Sequence, residues 1–435
     1  MTKYYDVAVA GIDVASDFSV VTVLSPTGDI YRKNVKFTHD LRGMTKLIKL
    51  LNKAEEEFGS SPKLFCECTG IYHLTLLHFL RSHQRDISAI NPLISHSNKN
   101  SDIRVVKNDN RDSLTIAKIG KFQEPKTAMD HPEDFLHLKF LITEYYKRVD
   151  DLSNLKKSFT NLLYVYYPGL QKAFKNTYCK SGLAFIEHYP TPDSLMAANN
   201  QDVIQLLNAT AKKGLKWAQG KVALLHRVAG EALELGLNHR VFGGKVNRFV
   251  RSHRFLNEQI EEIREEVNAY IDEMECGPKF REDLKLLSSF KGLGTMTAIT
   301  ILSAIGSHDR FSNAQQLVAF FGVDPSVNQS GKFKGDRAHM SKRGTAVGRR
   351  VLYSFALQCI KKNQDGRPLN ATIHDYYNRQ LKHKKKKVRL VAVMHKLLKY
   401  IFAVLRDRKP YVVRNAKVHK RMFLEHTAKA KNVAA

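Results

Sequence analysis

The sequence predicts an α/β domain at the N-terminus, a helical coiled-coil region in the middle and a mainly α domain at the C-terminus. Short strand-like runs alternate with helical patterns at the start of the chain, and long stretches with apolar residues at spacings of three and four follow. A glycine-punctuated pair of helices then begins near residue 279. These observations predict three domains, over residues 1–128, 129–278 and 279–435.

The N-terminal domain is predicted to open with a hairpin. The apolar run Asp6–Val14 and the partly alternating run Phe18–Leu24 are its strands, and the Pro-Thr-Gly-Asp sequence at 26–29 marks the next turn. The other elements predicted here are a strand over Ile30–Phe37, a helix over Leu41–Phe58, a strand over Lys63–Glu67, a helix over Ile71–His83 and a strand over Ile87–Ile90.

The middle region is predicted to be helical throughout. Residues 133–165 and 245–275 carry apolar side chains at three and four spacing, which indicates two helices of an antiparallel coiled coil or bundle. The inserted segment between them, residues 170–243, is interrupted by prolines and glycines, so we expect short helices there. No strand signal follows residue 130, and nothing in the insert indicates a function.

The C-terminal domain begins with a helix-hairpin-helix-like pattern. Ser288–Ala304 places Gly292 and Gly294 in a tight turn between two helices, where backbone N–H groups can meet a phosphate. An ordinary helix connection also uses glycine, so both interpretations stay open. An amphipathic helix is predicted over Val391–Leu405.

Positive charge is strong and unevenly distributed. The chain has 70 Lys and Arg against 42 Asp and Glu, a net charge of +28, which favours a nucleic-acid partner. Residues 331–435 alone contain 28 basic and 5 acidic residues, so the charge indicates a local binding surface. No apolar run of about 18 residues and no signal peptide are found. We therefore expect a cytoplasmic protein without a membrane partner.

Four carboxylates predict a metal site. Asp13 ends the first strand, Glu67 ends the fourth, and the i,i+3 spacing of Asp109 and Asp112 puts both on one face of a helix. Glu67 lies inside the apolar run LFCEC and Asp13 follows VAVAGI; an unpaired carboxylate there would cost several kcal/mol, so a cation is expected. Mg²⁺, as one or two ions, prefers such oxygen ligands. Asp109 fits equally well as the N-cap of the helix that carries Asp112.

Ser330 lies in a segment that is predicted to be a flexible, basic loop. Its neighbour Gly331 leaves room for a phosphate, although an ordinary loop serine is favoured on the residues alone, because no base is identified at triad spacing. The lysine run at 384–387 fits a solvated helix face as well as a nucleic-acid contact. The basic residues predicted to contact nucleic acid are Lys332, Lys334, Arg337, Lys342, Arg343, Arg349, Arg350, Lys384, Lys385, Lys386 and Lys387.

Motifs at both ends of the chain resemble one family. G-I-D at 11–13, E-x-T-G at 67–70 and K-x-D-x-x-D at 107–112 resemble the DEDD transposases of insertion sequences. G-x-G-x-x-T-A at 292–298, followed by Q-L-V-A-F-F-G-V-D-P, Q-S-G and S-K-R-G, resembles the C-terminal domain of the same family. The resemblance implies a RuvC-like (RNase H-like) first domain and a C-terminal transposase domain. Ser113 departs from it, since alanine is expected there.

The resemblance also implies a chemistry. In this family the acids that match Asp13, Glu67, Asp109 and Asp112 bind Mg²⁺, and the serine that matches Ser330 becomes covalently joined to DNA. The expected function is therefore a DNA transposase or serine recombinase that exchanges strands through a phosphoserine intermediate. The implied partners are target and donor DNA, a structured guide (bridge) RNA and further copies of the chain in a homodimer or homotetramer. The implied location is the nucleoid of a bacterium or archaeon.

Two other functions remain open at this point. The first is a RuvC-like metal-dependent nuclease that cuts branched DNA with water as the nucleophile, in which Ser330 only contacts a phosphate. The second is a nucleic-acid-binding protein built on an inactive nuclease fold, against which the four intact acids argue.

Overall fold

A computed structural model describes most of the chain. The described residues are 6–67, 71–90, 109–123, 133–174, 176–237, 239, 241–325, 329–330, 333–334, 339–342, 344–413, 418, 421–422 and 424, with only the backbone described at 109–111, 133, 329–330 and 333–334. The chain divides into two compact units, Met1–His131 and Pro132–Ala435.

The first unit is built on a mixed five-stranded sheet with the strand order β3-β2-β1-β4-β5. β1 pairs antiparallel with β2 and parallel with β4, and β5 is parallel to β4. The elements of this unit are β1 (Val9–Val14), β2 (Phe18–Leu24), β3 (Ile30–Thr38), α1 (Leu41–Phe58), β4 (Lys63–Glu67), α2 (Tyr72–Ser82), β5 (Ile87–Ile90) and α3 (Asp109–Phe122).

Helices cover both faces of this sheet. On one face α1 and α2 bury their apolar residues against Ala10, Ile12 and Cys66. On the other face, Ile116 and Ile119 of α3 form a smaller core with strand residues that include Val9 and Phe65. The α/β prediction is confirmed, and β2, α1, β4 and β5 have the predicted bounds.

The second unit is almost entirely helical in its described part. Its helices are α4 (Glu133–Tyr166), α5 (Leu170–Ala173), α6 (Lys180–His188), α7 (Pro192–Met196), α8 (Asn200–Ala211), α9 (Leu215–Leu235), α10 (Val241–Glu273), α11 (Gly277–Leu287), α12 (Thr295–Ile305), α13 (Ala314–Phe320), α14 (Ala346–Ile360), α15 (Ala371–Asp375) and α16 (Lys386–Asp407), with a 3₁₀ turn at His308–Arg310 and a π turn at Tyr376–Gln380.

The long helices α4 and α10 confirm the predicted helix pair and contribute to two separate cores. The start of α4 and the end of α10 pack with the C-terminal helices, as Leu138 and Val267 show. The end of α4 and the start of α10 pack with the inserted helices, as Leu163 and Val246 show.

Two predictions for the second unit are wrong. α9 is a 21-residue helix rather than a short one, because its buried face, including Leu225 and Val228, packs into the core of the insert and outweighs the propensity cost of its glycines. Strands also occur after residue 130: β6 (Gln329–Ser330) and β7 (Phe333–Lys334) form a two-stranded antiparallel pair. In the described part of the chain, no helix is long and apolar enough to cross a membrane.

Candidate active site

Asp13 and Glu67 lie at the same edge of the sheet. β1 and β4 are parallel neighbours, and Ile12 pairs with Cys66. Asp13 and Glu67 are the next residues along β1 and β4. They therefore lie side by side, with their Cα atoms about 5 Å apart. The carboxyl ends of two parallel strands thus bring together two of the four predicted acids.

Both acids belong to the sheet face that α3 covers. Val9 and Phe65 pack against α3, and because side chains alternate along a strand, the positions of Asp13 and Glu67 fall on that same face. Asp112 precedes the buried Ile116 by one helical turn, so its position faces the sheet as well. Asp109 is the first residue of α3, and its side chain lies outside the described residues.

A close backbone approach brings α3 to this edge. A Cβ atom at Gly11 would overlap the backbone nitrogen of Ala117 and the carbonyl oxygen of Ser113, so only glycine fits there. The Ser113 hydroxyl lies 2.8 Å from the Thr22 hydroxyl in the buried interface. The departure from alanine at Ser113 therefore supplies a hydrogen bond between α3 and β2.

Glu67 is the most deeply buried of these acids. The residue as a whole is 7 % exposed, and among the described residues none donates a hydrogen bond to its carboxylate or forms an ion pair with it. Carboxylates that lie side by side at a mostly buried sheet edge repel one another, and a cation between them would relieve that repulsion. Asp13 and Asp112 are partly buried and have interactions of their own. Within the described residues, no three His, Cys, Asp or Glu side chains stand close enough to enclose a metal ion.

Ser330 belongs to a short strand rather than to the predicted loop. It pairs with Phe333 in the antiparallel ladder between β6 and β7, next to the pair of Gln329 with Lys334. The side chain of Ser330 and that of Lys334 are outside the described residues. Lys332, Arg337 and Arg343 lie wholly outside them.

The ends of the Ser330 segment are joined by contacts that the sequence analysis missed. Ser341 donates from Oγ to Asp324 Oδ1 at 2.5 Å and from its backbone nitrogen to the Asp324 carbonyl at 2.9 Å. Pro325 and Met340 form a further antiparallel bridge. Asp324 and Ser341 stand in the D-P and S-K-R-G motifs on either side of Q-S-G, which was the available signal.

Two of the arginines predicted to bind nucleic acid already have protein partners. Nη1 of Arg349 donates to the Gly344 carbonyl at 2.5 Å and to the Phe321 carbonyl at 3.4 Å, and burial lowers the pKa of this guanidinium. Nη1 of Arg350 lies 2.6 Å from the Asp150 carboxylate on α4. Both arginines therefore hold α14 in place, and their contact with nucleic acid stays a prediction for the remaining nitrogens.

The predicted lysine surface lies at the start of α16. Lys384 to Lys387 are all exposed, and the first turn of this helix contains no acidic residue. Cations at a helix N-terminus oppose the helix dipole, so this arrangement favours a bound anion. Lys342 is also exposed and adopts a left-handed backbone with φ of 56°.

The turn at Gly292 has a structural explanation. Gly292 has φ of 91°, and a Cβ there would lie 3.3 Å from Cβ of Gln358 on α14. The glycine therefore lets the connection between α11 and α12 approach α14. Contact of this turn with a phosphate stays a prediction.

Two family models match the chain. A model for the DEDD transposases of IS110, described as Transposase, matches residues 10–168, and one described as Transposase IS116/IS110/IS902 family matches residues 284–371. The first match contains all four acids, and the second contains Asp324, Ser330 and Ser341. The two matches together span more than half of the chain.

Curated relatives agree with these matches. A pilin gene-inverting protein of Moraxella bovis is 24 % identical over 416 residues, covering 94 % of this chain and 98 % of the relative. A pilin gene-inverting protein of Moraxella lacunata shows the same identity over 415 residues, with the same coverage. The transposase for insertion sequence element IS1111A of Coxiella burnetii is 31 % identical over 108 residues, which is 24 % of this chain and 29 % of that protein.

Proposed function

Since this chain belongs to the IS110 family of transposases, we propose that it recombines DNA through Ser330 as the nucleophile, with Mg²⁺ held by Asp13, Glu67, Asp109 and Asp112. Membership of the family implies DNA as the substrate and strand cleavage and rejoining as the activity. The serine nucleophile, the Mg²⁺ site and the guide RNA go beyond what membership of the family implies.

The buried carboxylate of Glu67 is the observation that carries the metal assignment. Its neighbour at the same sheet edge is Asp13, and the stripe of α3 that contains Asp112 covers that face. A donor set made only of carboxylates suits a hard, oxygen-seeking cation such as Mg²⁺. The strand order of the sheet, three antiparallel strands followed by two parallel ones, supports the RuvC-like assignment of this unit.

The proposed reaction conserves the number of phosphodiester bonds. Ser330 Oγ loses its proton and attacks a DNA phosphorus atom, the phosphorus–deoxyribose oxygen bond breaks, and that oxygen leaves as a hydroxyl. The hydroxyl of a second strand then attacks the phosphoserine and releases Ser330. When bound, Mg²⁺ supplies stabilisation of the charge that develops on the phosphate oxygens. The lysines at 384–387 would hold the DNA or RNA backbone.

A guide RNA and a homodimer or homotetramer complete the proposal. The positive charge of residues 331–435 supports a polyanionic partner, and base pairing by a structured guide RNA would then select the target and donor DNA. Sequencing of the RNA that co-purifies with the protein tests the guide, and recovery of random cellular RNA alone would count against it. Light scattering of the purified complex tests the assembly.

Ser330→Ala separates the serine mechanism from that of a metal-dependent nuclease. We expect this variant to bind DNA normally, to lose recombination and to form no adduct that survives denaturation and migrates with the protein. The control is Ser312→Ala, which changes an exposed serine in the same unit. Normal recombination by Ser330→Ala would exclude the serine mechanism.

Glu67→Gln and Asp13→Asn test the metal site. Each removes one carboxylate charge with little change of shape, so we expect recombination to fall by at least about a hundredfold while DNA binding is kept. Asp17→Asn, at an exposed acid just beyond β1, is the matched control. If both site variants recombined DNA as well as the control, the proposed metal site would not take part in the reaction.

A further inference from the structure

The inserted helices line a half-open cavity of about 530 Å³ that the proposed chemistry does not use. It lies between the end of α5, the start of α6, the end of α8 and the start of α9, and its volume is in the range of ligand-binding pockets. Its lining includes Phe174, Lys180, Ser181, Lys213, Trp217 and Lys221.

The cavity walls carry only positive charge. The residues that line the cavity fall within 174–181 and 210–221. Three lysines are among them, and no acid is. Several ammonium groups around one concave site repel one another, and a bound anion would relieve that repulsion.

Two of the lysines lie beside the indole of Trp217. Lys213 Nζ is 5.1 Å and Lys221 Nζ is 5.7 Å from the ring. Lys221 also donates to the Ala173 carbonyl and lies 5.4 Å from the Phe174 ring, so it is held in place, whereas Lys213 is exposed and can turn away. Burial, and secondly the charge of Lys213, lower the pKa of Lys221, in keeping with crowded cations.

We propose that this cavity binds one unpaired nucleotide of a single-stranded nucleic acid, with its base stacked on Trp217 and its phosphate between Lys180, Lys213 and Lys221. A phosphate would draw Lys213 away from the indole and leave that ring face to the base. The Asn176 amide can donate to the base edge or the sugar, and the Thr210 hydroxyl, which donates to the Leu206 carbonyl, can still accept a hydrogen bond from them. The inference rests on the proposed function only in that the protein handles nucleic acid.

A single unpaired nucleotide fits the cavity better than a duplex does. An aromatic ring inside a concave site is accessible to a base only if that base is unstacked from its neighbours. An inorganic anion would use the lysines but would leave Trp217 without a role. An unpaired RNA loop and a displaced DNA strand share the chemistry that the cavity recognises, and the experiment distinguishes them.

Tryptophan fluorescence reports on this cavity alone, because Trp217 is the only tryptophan of the chain. The full-length protein is titrated with a six-nucleotide RNA, the DNA of the same sequence, a hairpin-capped duplex and inorganic phosphate. We expect saturable quenching by the RNA or the DNA single strand, and the tighter of the two identifies the source of the nucleotide. Quenching by the duplex or by phosphate alone, or no quenching, would overturn the proposal.

Lysine variants show whether the quenching arises in the cavity. Lys180→Ala and Lys213→Ala remove exposed lining charges, and each is expected to weaken the binding seen by fluorescence about threefold to tenfold and to reduce its salt slope by about 0.7. Lys216→Ala, at an exposed lysine outside the lining, is the control and should bind like the parent. Equal binding by all three variants would contradict the proposal. Recombination by Ser330→Ala and Glu67→Gln is measured separately, so failure of either proposal is recognised on its own.

Discussion

Ser341 donates a hydrogen bond from its hydroxyl to the carboxylate of Asp324, with 2.5 Å between Oγ and Oδ1. The two residues stand on either side of the segment that contains Ser330, and their backbones are also hydrogen-bonded, at 2.9 Å. Lys342 continues this pairing: its backbone nitrogen donates to the Gly322 carbonyl at 3.1 Å. The base of the Ser330 segment is therefore closed by side-chain and backbone contacts together.

Ser341→Ala should slow recombination without changing DNA affinity. The variant loses a hydrogen bond to a charged acceptor, worth about 1.5–3 kcal/mol, while the backbone contacts remain. We expect a fall of about tenfold in the rate of strand exchange, measured with a pre-bound DNA substrate. Ser312→Ala is again the control, and an unchanged rate for Ser341→Ala would show that the contact does not position Ser330.

Gly11→Ala should destabilise the first unit. The added methyl group overlaps the α3 backbone at Ser113 and Ala117, and backbone cannot move aside as a flexible side chain can. We expect a loss of about 1–3 kcal/mol in the free energy of unfolding, measured by urea denaturation. Gly230→Ala is the matched control: its Cβ would meet nothing within 4 Å inside α9, so it should be neutral or slightly stabilising. Similar losses in both variants would disprove the close approach.

The sequence predicted the first unit well because its elements are short, regular and bounded by turn residues. Asp40 caps α1 by accepting from the Gly43 nitrogen at 2.7 Å, and Gly59 ends that helix with φ of 70°. Both are local effects. The neighbouring positions of Asp13 and Glu67 depend instead on the pairing of strands about fifty residues apart, which the pattern suggested but could not align.

Arg349 and the lysines at 384–387 should respond differently to substitution. Arg349→Met leaves two carbonyl oxygens without their donor, so we expect a lower thermal unfolding temperature.

Replacement of the four lysines by Gln should keep or raise stability, because it removes cations from a helix N-terminus. It should also weaken DNA binding and reduce the salt slope by up to about 0.9 for each phosphate that these lysines neutralise in the parent protein. An unchanged salt slope would show that these lysines face only solvent.

His253 should make the second unit less stable in acid. Burial, and secondly the charge of Lys156, lower its pKa to about 4 from the usual 6.5. The unfolded chain therefore binds the proton more readily than the folded one. The stability that His253 contributes is complete above about pH 6.5 and is lost as the pH falls towards 4. His253→Gln should reduce the loss between pH 7.5 and 5 by about 1 kcal/mol, after allowance for solvent screening, in urea unfolding at each pH. An identical loss in the variant would rule out this origin.

Other parts of the site could not be derived from the sequence because they depend on tertiary packing. Arg349 and Arg350 are neighbours in a basic motif, yet each bonds another part of the protein through Nη1. Arg349 donates to the Gly344 carbonyl, and Arg350 donates to the carboxylate of Asp150, which is distant in sequence. The cavity beside Trp217 likewise forms only when α5, α6, α8 and α9 come together. The number of Lys and Arg residues predicts a polyanionic partner, but it does not show which of these side chains can contact that partner.

The helix pair α4 and α10 joins the core of the insert to the core of the C-terminal helices. Thirty-four residues of continuous helix in α4 extend for about 50 Å, with one core at each end. The insert is thus carried on a rigid arm whose length is set by the number of helical turns. Removing equal numbers of turns from both helices between the cores would shorten the arm, whereas an unequal deletion would put the two helices out of register. Insertion or deletion of whole helical turns in both helices would therefore change the distance between the two cores in steps of one turn.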